Sequence, residues 1–392
     1  MKLMHISDLH LGKRISDFSM IEDQKYILEK ILEMVRKEKP DAILIAGDIY
    51  DRSVPSTEAM EILEGFLYEL AGNGNQVFII SGNHDSAERL AFGSALIDRS
   101  GIHISPVYNG KTKGFELQDE HGQVNIYMMP FVKPVNVRHA LVTSGRLTEE
   151  EAAGIDTYAK AMTAAIDAME IDEHQRNVLI AHQFVTGAAT CESEDVNVGG
   201  LDNIDADVFD VFDYVALGHL HGPQTIGSKK NIRYSGTPLK YSFSEVDHNK
   251  SITIAELGTK AGGETELAIR TLPLKPLRDW ADIRGTFVQL TGEEFLKSAD
   301  QEAYTRVTLL DEDDVPEAIN RLRDYYGNIM SLRYDNLRMR TESDVSDASE
   351  LGERSEIEMF KELFEKQNNA EMSQAQTNLV TRLLEEIKEE MA

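Results

Sequence analysis

The sequence predicts an α/β protein: two sheets packed against each other with helices outside, then a small α/β module and C-terminal helices. Three observations carry that expectation. Short apolar runs at 42–46 and 76–80 alternate with amphipathic helical stretches, which implies right-handed crossovers and parallel pairing. Later β-rich segments, at 232–238, 251–257 and 266–272, are closely spaced in the manner of antiparallel closing strands. Five apolar runs end in Asp, Asn or His, and the carboxyl ends of strands are where α/β sheets gather ligands.

At 392 residues the chain is long for one core, so a large domain with a smaller companion is expected. No apolar run approaches a bilayer span, so no membrane role is expected. The opening Met1-Lys2-Leu3-Met4-His5 lacks a signal-peptide pattern, and a lone cysteine, Cys191, fits a reducing cytoplasm. Net charge is −28, from 68 acidic and 40 basic residues, which argues against a broad polyanion-binding surface. A nucleic-acid substrate would therefore need bound cations, a local basic patch or a partner subunit.

In chain order, a first strand at 3–6 leads into Ser7-Asp8-Leu9-His10, where the i, i+2 spacing would send both side chains to one side of an extended segment. The periodicity predicts a helix over 20–39, closed by Pro40, and another over 57–71 with Met60, Leu63, Leu67 and Leu70 inward. The strand at 76–80 leads into Ser81-Gly82-Asn83-His84-Asp85, where Gly82 would permit a sharp turn. A helical segment over 90–97 would serve the core by default. Thr148-Glu149-Glu150-Glu151 matches a capping box opening a helical stretch to about 169. Strands at 178–181 and 214–217 end in His182 and in Gly218-His219-Leu220-His221. A polar segment over 188–205, rich in Gly, Asn and acids, is expected as a loop near them.

The expected organisation is residues 1–272 as the main domain, 273–340 as a small α/β capping module, 341–354 as an acidic linker, and 355–392 as two helices. In the module, strands are expected at 286–290, 304–310 and 329–334, with a helix over 316–326. Ser355-Glu356-Ile357-Glu358 and Ser373-Gln374-Ala375-Gln376 each match a capping box ahead of an apolar stripe, which suits docking onto a partner.

Collected, the strand-end groups are Asp8, His10, Asp48, Asp51, Asn83, His84, His182, His219 and His221. Asp8, His10, Asp48 and His221 could surround one cation, and Asn83, His182 and His219 a second, with Asp48 bridging. Imidazole, carboxylate and amide without thiolate favour manganese, iron or zinc over calcium, and manganese best where waters complete octahedra. Two such ions about 4 Å apart clamp a phosphoester, acidify water and neutralise phosphoryl oxygens. His84, outside the ligand count, is placed to protonate the leaving oxygen, and Asp51 to hold its other ring nitrogen. Any one of these histidines alone would more simply be a hydrogen-bonded surface group, but five strand ends with the right chemistry are hard to explain as turns.

At Asp8-Leu9-His10, Gly47-Asp48-Ile49-Tyr50-Asp51, Gly82-Asn83-His84-Asp85, His182 and Gly218-His219-Leu220-His221 the chain resembles the calcineurin-like metallophosphoesterase superfamily. The opening His5-Ile6-Ser7-Asp8-Leu9-His10-Leu11-Gly12 and the stretch from Tyr234 to Phe243 narrow the likeness to the nuclease subunits of bacterial ATPase–nuclease complexes. That resemblance implies a four-layer β-sandwich flanked by helices, a capping domain and two Mn2+ ions (Mg2+ or another divalent transition metal being possible). It also implies double-strand exonuclease and single-strand or hairpin endonuclease activity on DNA, in repair, recombination and replication. The implied assembly is a homodimer within a heterotetramer, its ATPase gripped by the C-terminal helices. Asp51 is histidine in some archaeal relatives; a carboxylate there suits orienting His84. Two other classes compete: a phosphatase or phosphodiesterase for a non-DNA phosphoester, which the acidic surface favours mildly, and a non-catalytic adaptor, which would have no need of the full ligand set.

Overall fold

A computed structural model of the chain describes residues 1–335 apart from 113 and 195–202, residues 357, 360, 361 and 364, and residues 372–391. The chain divides into two compact units, Met1–Arg278 and Asp279–Ala392.

In the first unit two six-stranded sheets face each other. From edge to edge the first runs Glu264–Pro273, Ser251–Ala261, Lys2–Ile6, Ala42–Ala46, Gln76–Ile80 and Ile102–Ile104. Its last four strands are parallel, and Ser251–Ala261 pairs antiparallel with both neighbours. The second runs Gln224–Ile226, Lys229–Tyr234, Tyr214–Gly218, Arg176–His182, Gly122–Met129 and Phe115–Asp119. Here the strand carrying Ile232 pairs parallel with Tyr214–Gly218 and antiparallel only with the short Gln224–Ile226. The expectation of mainly antiparallel closing strands thus holds for the end of the first sheet and fails in the second.

The core between the sheets is built from Leu3, Leu44, Phe78, Val124, Ile126, Val178, Ile180 and Ala216, among others. These strands are buried on both faces, hence their unbroken apolar runs. Helices cover the outside. Ile21–Glu38 buries Ile27, Leu28, Ile31 and Val35, and ends at Lys39 in the left-handed conformation, just before Pro40. Thr57–Gly72, capped by the Ser56 hydroxyl, buries Ala59, Ile62, Leu63, Phe66 and Leu70. Met60 lies outside that 3.6-residue stripe and is exposed, contrary to expectation.

Four other expectations are corrected. The Thr148 capping box forms, but its helix is only Glu149–Ala152; Gly154 intervenes and Thr157 caps a second helix, Tyr158–Asp167. The segment after His84 gives two short helices, Ala87–Leu90 and Ser94–Ile97, of which Leu90 alone is buried, while Phe92 is 89% and Leu96 83% exposed. In the second unit the strands are Trp280–Gly285, Tyr304–Leu309 and Asn328–Tyr334, all parallel. In place of the strand expected at 286–290 stands a helix, Phe287–Leu290, because its cap Thr286 and Gln289 bond each other reciprocally. The module's helix between its last two strands is Ala318–Leu322, shorter than the span expected. This unit has its own core of Leu290, Val307, Leu309, Leu322 and Tyr326.

The helix Gln374–Met391 opens with the expected box: Ser373 N–H donates to Gln376 Oε1 at 2.9 Å, and Gln376 N–H to Ser373 Oγ at 3.4 Å. Leu379 and Leu383 on it are exposed. The acidic linker expected at 341–354 and the capping box at Ser355 lie outside the described residues. No described helix is long and apolar enough to cross a membrane.

Candidate metal centre

The loops after the first two parallel strands are zipped together by their backbones. Asp8 N–H donates to Gly47 O at 3.0 Å, His10 N–H to Asp48 O at 2.9 Å and Leu11 N–H to Ile49 O at 2.9 Å. Asp8, His10, Asp48 and His219 all have positive φ, at 53°, 44°, 48° and 108°. Left-handed backbone at four non-glycine residues costs on the order of 1 kcal/mol or more each, and such strain collects at functional sites. Asp8 and His10 therefore converge through left-handed turns, and the extended i, i+2 geometry expected of them is absent. Gly82 has an ordinary φ; its role is close approach, since a Cβ there would fall 2.1 Å from Asp48 Oδ1. Gly218 is the same kind of contact: its Cβ would fall 1.8 Å from Ala46 O.

The strand ends meet. Asp48 Oδ1 accepts from His84 N–H at 2.9 Å, so its Oδ2 alone faces the rings. That oxygen lies 3.4 Å from His182 Nε2, 3.8 Å from His10 Nε2 and 3.9 Å from His84 Nε2. Asn83 Oδ1 joins His182 Nε2 (3.0 Å) to His219 Nδ1 (2.9 Å). His10 Nε2 and His221 Nε2 stand 3.2 Å apart, and Asp8 Oδ1 accepts from His219 N–H at 2.9 Å. All seven residues proposed from sequence as ligands are thus gathered in one place.

The side chains of this buried cage hold one another's charges. Burial would lower His182, but the Asp48 carboxylate outweighs it and holds the ring up at about 9; the same pairing drives Asp48 far below the carboxylate range against its own burial. Burial also opposes charge on His221, yet hydrogen bonds to Cys191 and Glu245 raise it to about 10. Burial lowers His10 well below its usual value, and lowers His219 to about 3 with His182 adding to the effect. Asp8 is pushed up to about 6, by burial first.

A divalent metal pair fits these residues. Asp8 Oδ2 is buried without a hydrogen-bond partner, which is costly unless something else is meant to meet it. Single donor atoms of Asp8, Asp48 and His182, and of His10, Asp48 and His84, lie within 4.8 Å of one another. His182 Nδ1–H donates to Ala46 O at 2.8 Å, which leaves Nε2 for the cage.

His84 differs from the neighbouring rings in being about a quarter exposed, against 0 to 3% for the side chains of His10, His182 and His221. The expected Asp51 carboxylate partner is corrected: His84 Nδ1 donates to the Asp51 backbone carbonyl at 3.0 Å. The carboxylate is claimed instead by Lys13, at 2.7 Å.

Several residues with structural work here went unassigned in the sequence. Asp85 accepts from the N–H groups of Ile49 (3.0 Å), Tyr50 (2.9 Å) and Gly82 (2.9 Å), tying the loops that carry Asp48 and Asn83 together. Gln24 donates to His10 O at 2.7 Å and accepts from Gly12 N–H at 3.0 Å, while Tyr241 donates to Leu9 O at 2.8 Å. Gln24 was discoverable, being a polar residue in phase with the buried stripe at 27, 28, 31 and 35.

Residues 1–223 match the family profile of the calcineurin-like phosphoesterases, and the chain belongs to that family: a metal-dependent phosphoester hydrolase. Residues 273–368 match the SbcD C-terminal domain, described as the type 5 capsule protein repressor C-terminal domain. The two domains together mark an SbcD-type DNA nuclease. Among solved structures, a dimetal phosphatase from Danio rerio is similar at 12% identity, over 69% of this chain and 95% of that one, with a TM-score of 0.36. A psychrophilic β-glucosidase, BglU from Micrococcus antarcticus, is similar at 10% identity over 85% and 84%, with a TM-score of 0.20. Likenesses this loose carry nothing about chemistry.

Proposed function

We propose that the chain is a two-metal DNA phosphodiesterase that works with manganese as exonuclease on duplex ends and endonuclease on single strands and hairpins. The observation that carries this reading is the single Asp48 oxygen facing two sets of donors. Asp8, His10, Asp48 and His221 would hold one ion, and Asp48, Asn83, His182 and His219 the other. When bound, such a pair neutralises the phosphoryl oxygens and acidifies water.

The chain's own residues supply the rest. His84, fixed by the Asp51 carbonyl and open to solvent, is the group placed to give a proton to the departing sugar oxygen. Asp51 acts here through its backbone, and its carboxylate anchors Lys13 beside the site. Residues 1–272 would form the nuclease domain and 273–340 the capping domain, with an SbcC-type ATPase docked on helices after 355. Exposed Leu379 and Leu383 support that docking, and a partner's DNA contacts would offset the charge of −28. The exposed Phe92, Leu96 and Tyr68 support a homodimer within a heterotetramer. The setting is cytoplasmic DNA repair, recombination and replication.

Manganese-loaded protein with its ATPase partner and ATP should shorten duplex ends and open hairpins. Intact substrates, beside a control nuclease that digests them, would reject the reading.

A further inference from the structure

The buried Glu245, which no sequence motif singled out, sits at the end of a short helical turn, Phe243–Glu245, just past the Tyr234-to-Phe243 stretch. One of its oxygens, Oε1, accepts from Ser193 Oγ–H at 2.6 Å and from Tyr241 N–H at 3.2 Å, and lies 3.4 Å from His221 Nδ1. The Ser193 oxygen is 2.8 Å from that same Nδ1. The other oxygen, Oε2, pairs with the buried Lys250 ammonium, which also donates to His221 O at 2.8 Å and to Thr237 Oγ1 at 2.6 Å. Glu194 completes the grip, accepting from His221 N–H at 2.6 Å.

The direction of this chain of hydrogen bonds is fixed by chemistry. A carboxylate only accepts, so the single hydroxyl hydrogen of Ser193 goes to Glu245, and the hydroxyl lone pair is left to accept from Nδ1–H. We propose that Glu245, through Ser193 and with Lys250 as its anchor, is a positioning residue that keeps the His221 proton on Nδ1 and its Nε2 lone pair aimed at the first metal position. This rests on His221 being a ligand, as proposed above. Ser193 thus stands to His221 Nδ1 as the Ala46 carbonyl stands to His182 Nδ1, with Cys191 and Glu194 beside the same ring. Groups that orient a ligating histidine typically carry 10- to 100-fold of metal affinity.

The test is Co2+ and Mn2+ titration of the full chain without substrate, by calorimetry and by the visible absorption of Co2+. Wild type should take two ions, and His221→Ala should lose the first; if His221→Ala keeps both at full affinity, the ligand assignment itself is wrong. Given that control, Glu245→Gln should weaken one ion about 10- to 100-fold and leave the other unchanged. Ser193→Ala should weaken the same ion about 10-fold, and Ser193→Thr, which retains the hydroxyl, should restore it. Should Glu245→Gln fail to fold, the Ser193 pair decides alone, because it leaves the Glu245–Lys250 ion pair in place. Unchanged affinity and Co2+ spectrum in Ser193→Ala, beside a defective His221→Ala, would overturn the proposal. So would equal weakening of both ions.

Discussion

The strand Arg176–His182 has a buried cationic group at each end, and the two ends are built on opposite principles. At its start the Arg176 guanidinium is saturated: it pairs with the Asp119 carboxylate and donates to the carbonyls of Gly122 (2.6 Å), Leu257 (3.2 Å) and Gly258 (3.1 Å). At its finish His182 faces Asp48 across 3.4 Å, among left-handed residues, with Asp8 Oδ2 unpartnered nearby. Both regions sequester charge, but one satisfies every group from within the protein and the other leaves places for something from outside. Complete internal pairing marks a group that serves stability, and incomplete pairing maintained at a cost in backbone strain marks one that serves chemistry.

The contrast can be broken at either end. The largest effect is expected at Asp48: Asp48→Asn should lower phosphodiesterase activity by about 10³-fold or more, since it removes charge shared by both ion positions. Metal titration should show both ions weakened, and ion-free protein should lose stability too, because the buried His182 ring loses its counter-charge. His84→Ala should lower kcat by about 10²- to 10⁴-fold with full metal content, which steady-state kinetics beside elemental analysis would check. Equal loss of metal and activity would instead make His84 a ligand.

At the other end, Arg176→Met should cost about 3 kcal/mol in denaturant unfolding, because it removes the guanidinium donor to the Gly122 and Gly258 carbonyls and deprives Asp119 of a partner, though the Met1 amine remains, 2.5 Å from Asp119 and 2.8 Å from Leu257 O. Any folded Arg176→Met protein should bind metal as wild type does. If it did not, the two ends would not be independent.

The smallest effect concerns protons. His182 and His221, held up at about 9 and about 10 in the ion-free protein, are both charged at pH 7 and must each give up a proton before ligating. Metal binding at pH 7 should therefore release roughly two protons, read from calorimetry in buffers of different ionisation enthalpy. Apparent affinity should climb as pH rises toward 9 to 10 and flatten above. Release that does not vary between pH 7 and pH 10 would contradict this.

The sequence made the candidate ligand set legible because each proposed ligand follows an apolar strand, and a parallel sheet aligns such ends by topology alone. The orientation of those side chains was not legible. It comes from left-handed turns at Asp8, His10 and Asp48, which i, i+2 reasoning about extended chain does not contain. The Asp51 assignment missed for a related reason: residue identity points to a carboxylate, whereas His84 meets a backbone carbonyl, which every residue has. Glu245 and Asp85 escaped because they act on backbone groups or on other ligands from across the chain. In the small unit, Thr286 and Gln289 converted an expected strand into a helix, a local cap outweighing β-propensity.

The most direct test of the whole account is a manganese-soaked crystal measured at the metal's absorption edge. Two anomalous peaks should share Asp48 Oδ2, one bounded by Asp8, His10 and His221 and the other by Asn83, His182 and His219. A single peak, or peaks that leave Asp48 untouched, would contradict it.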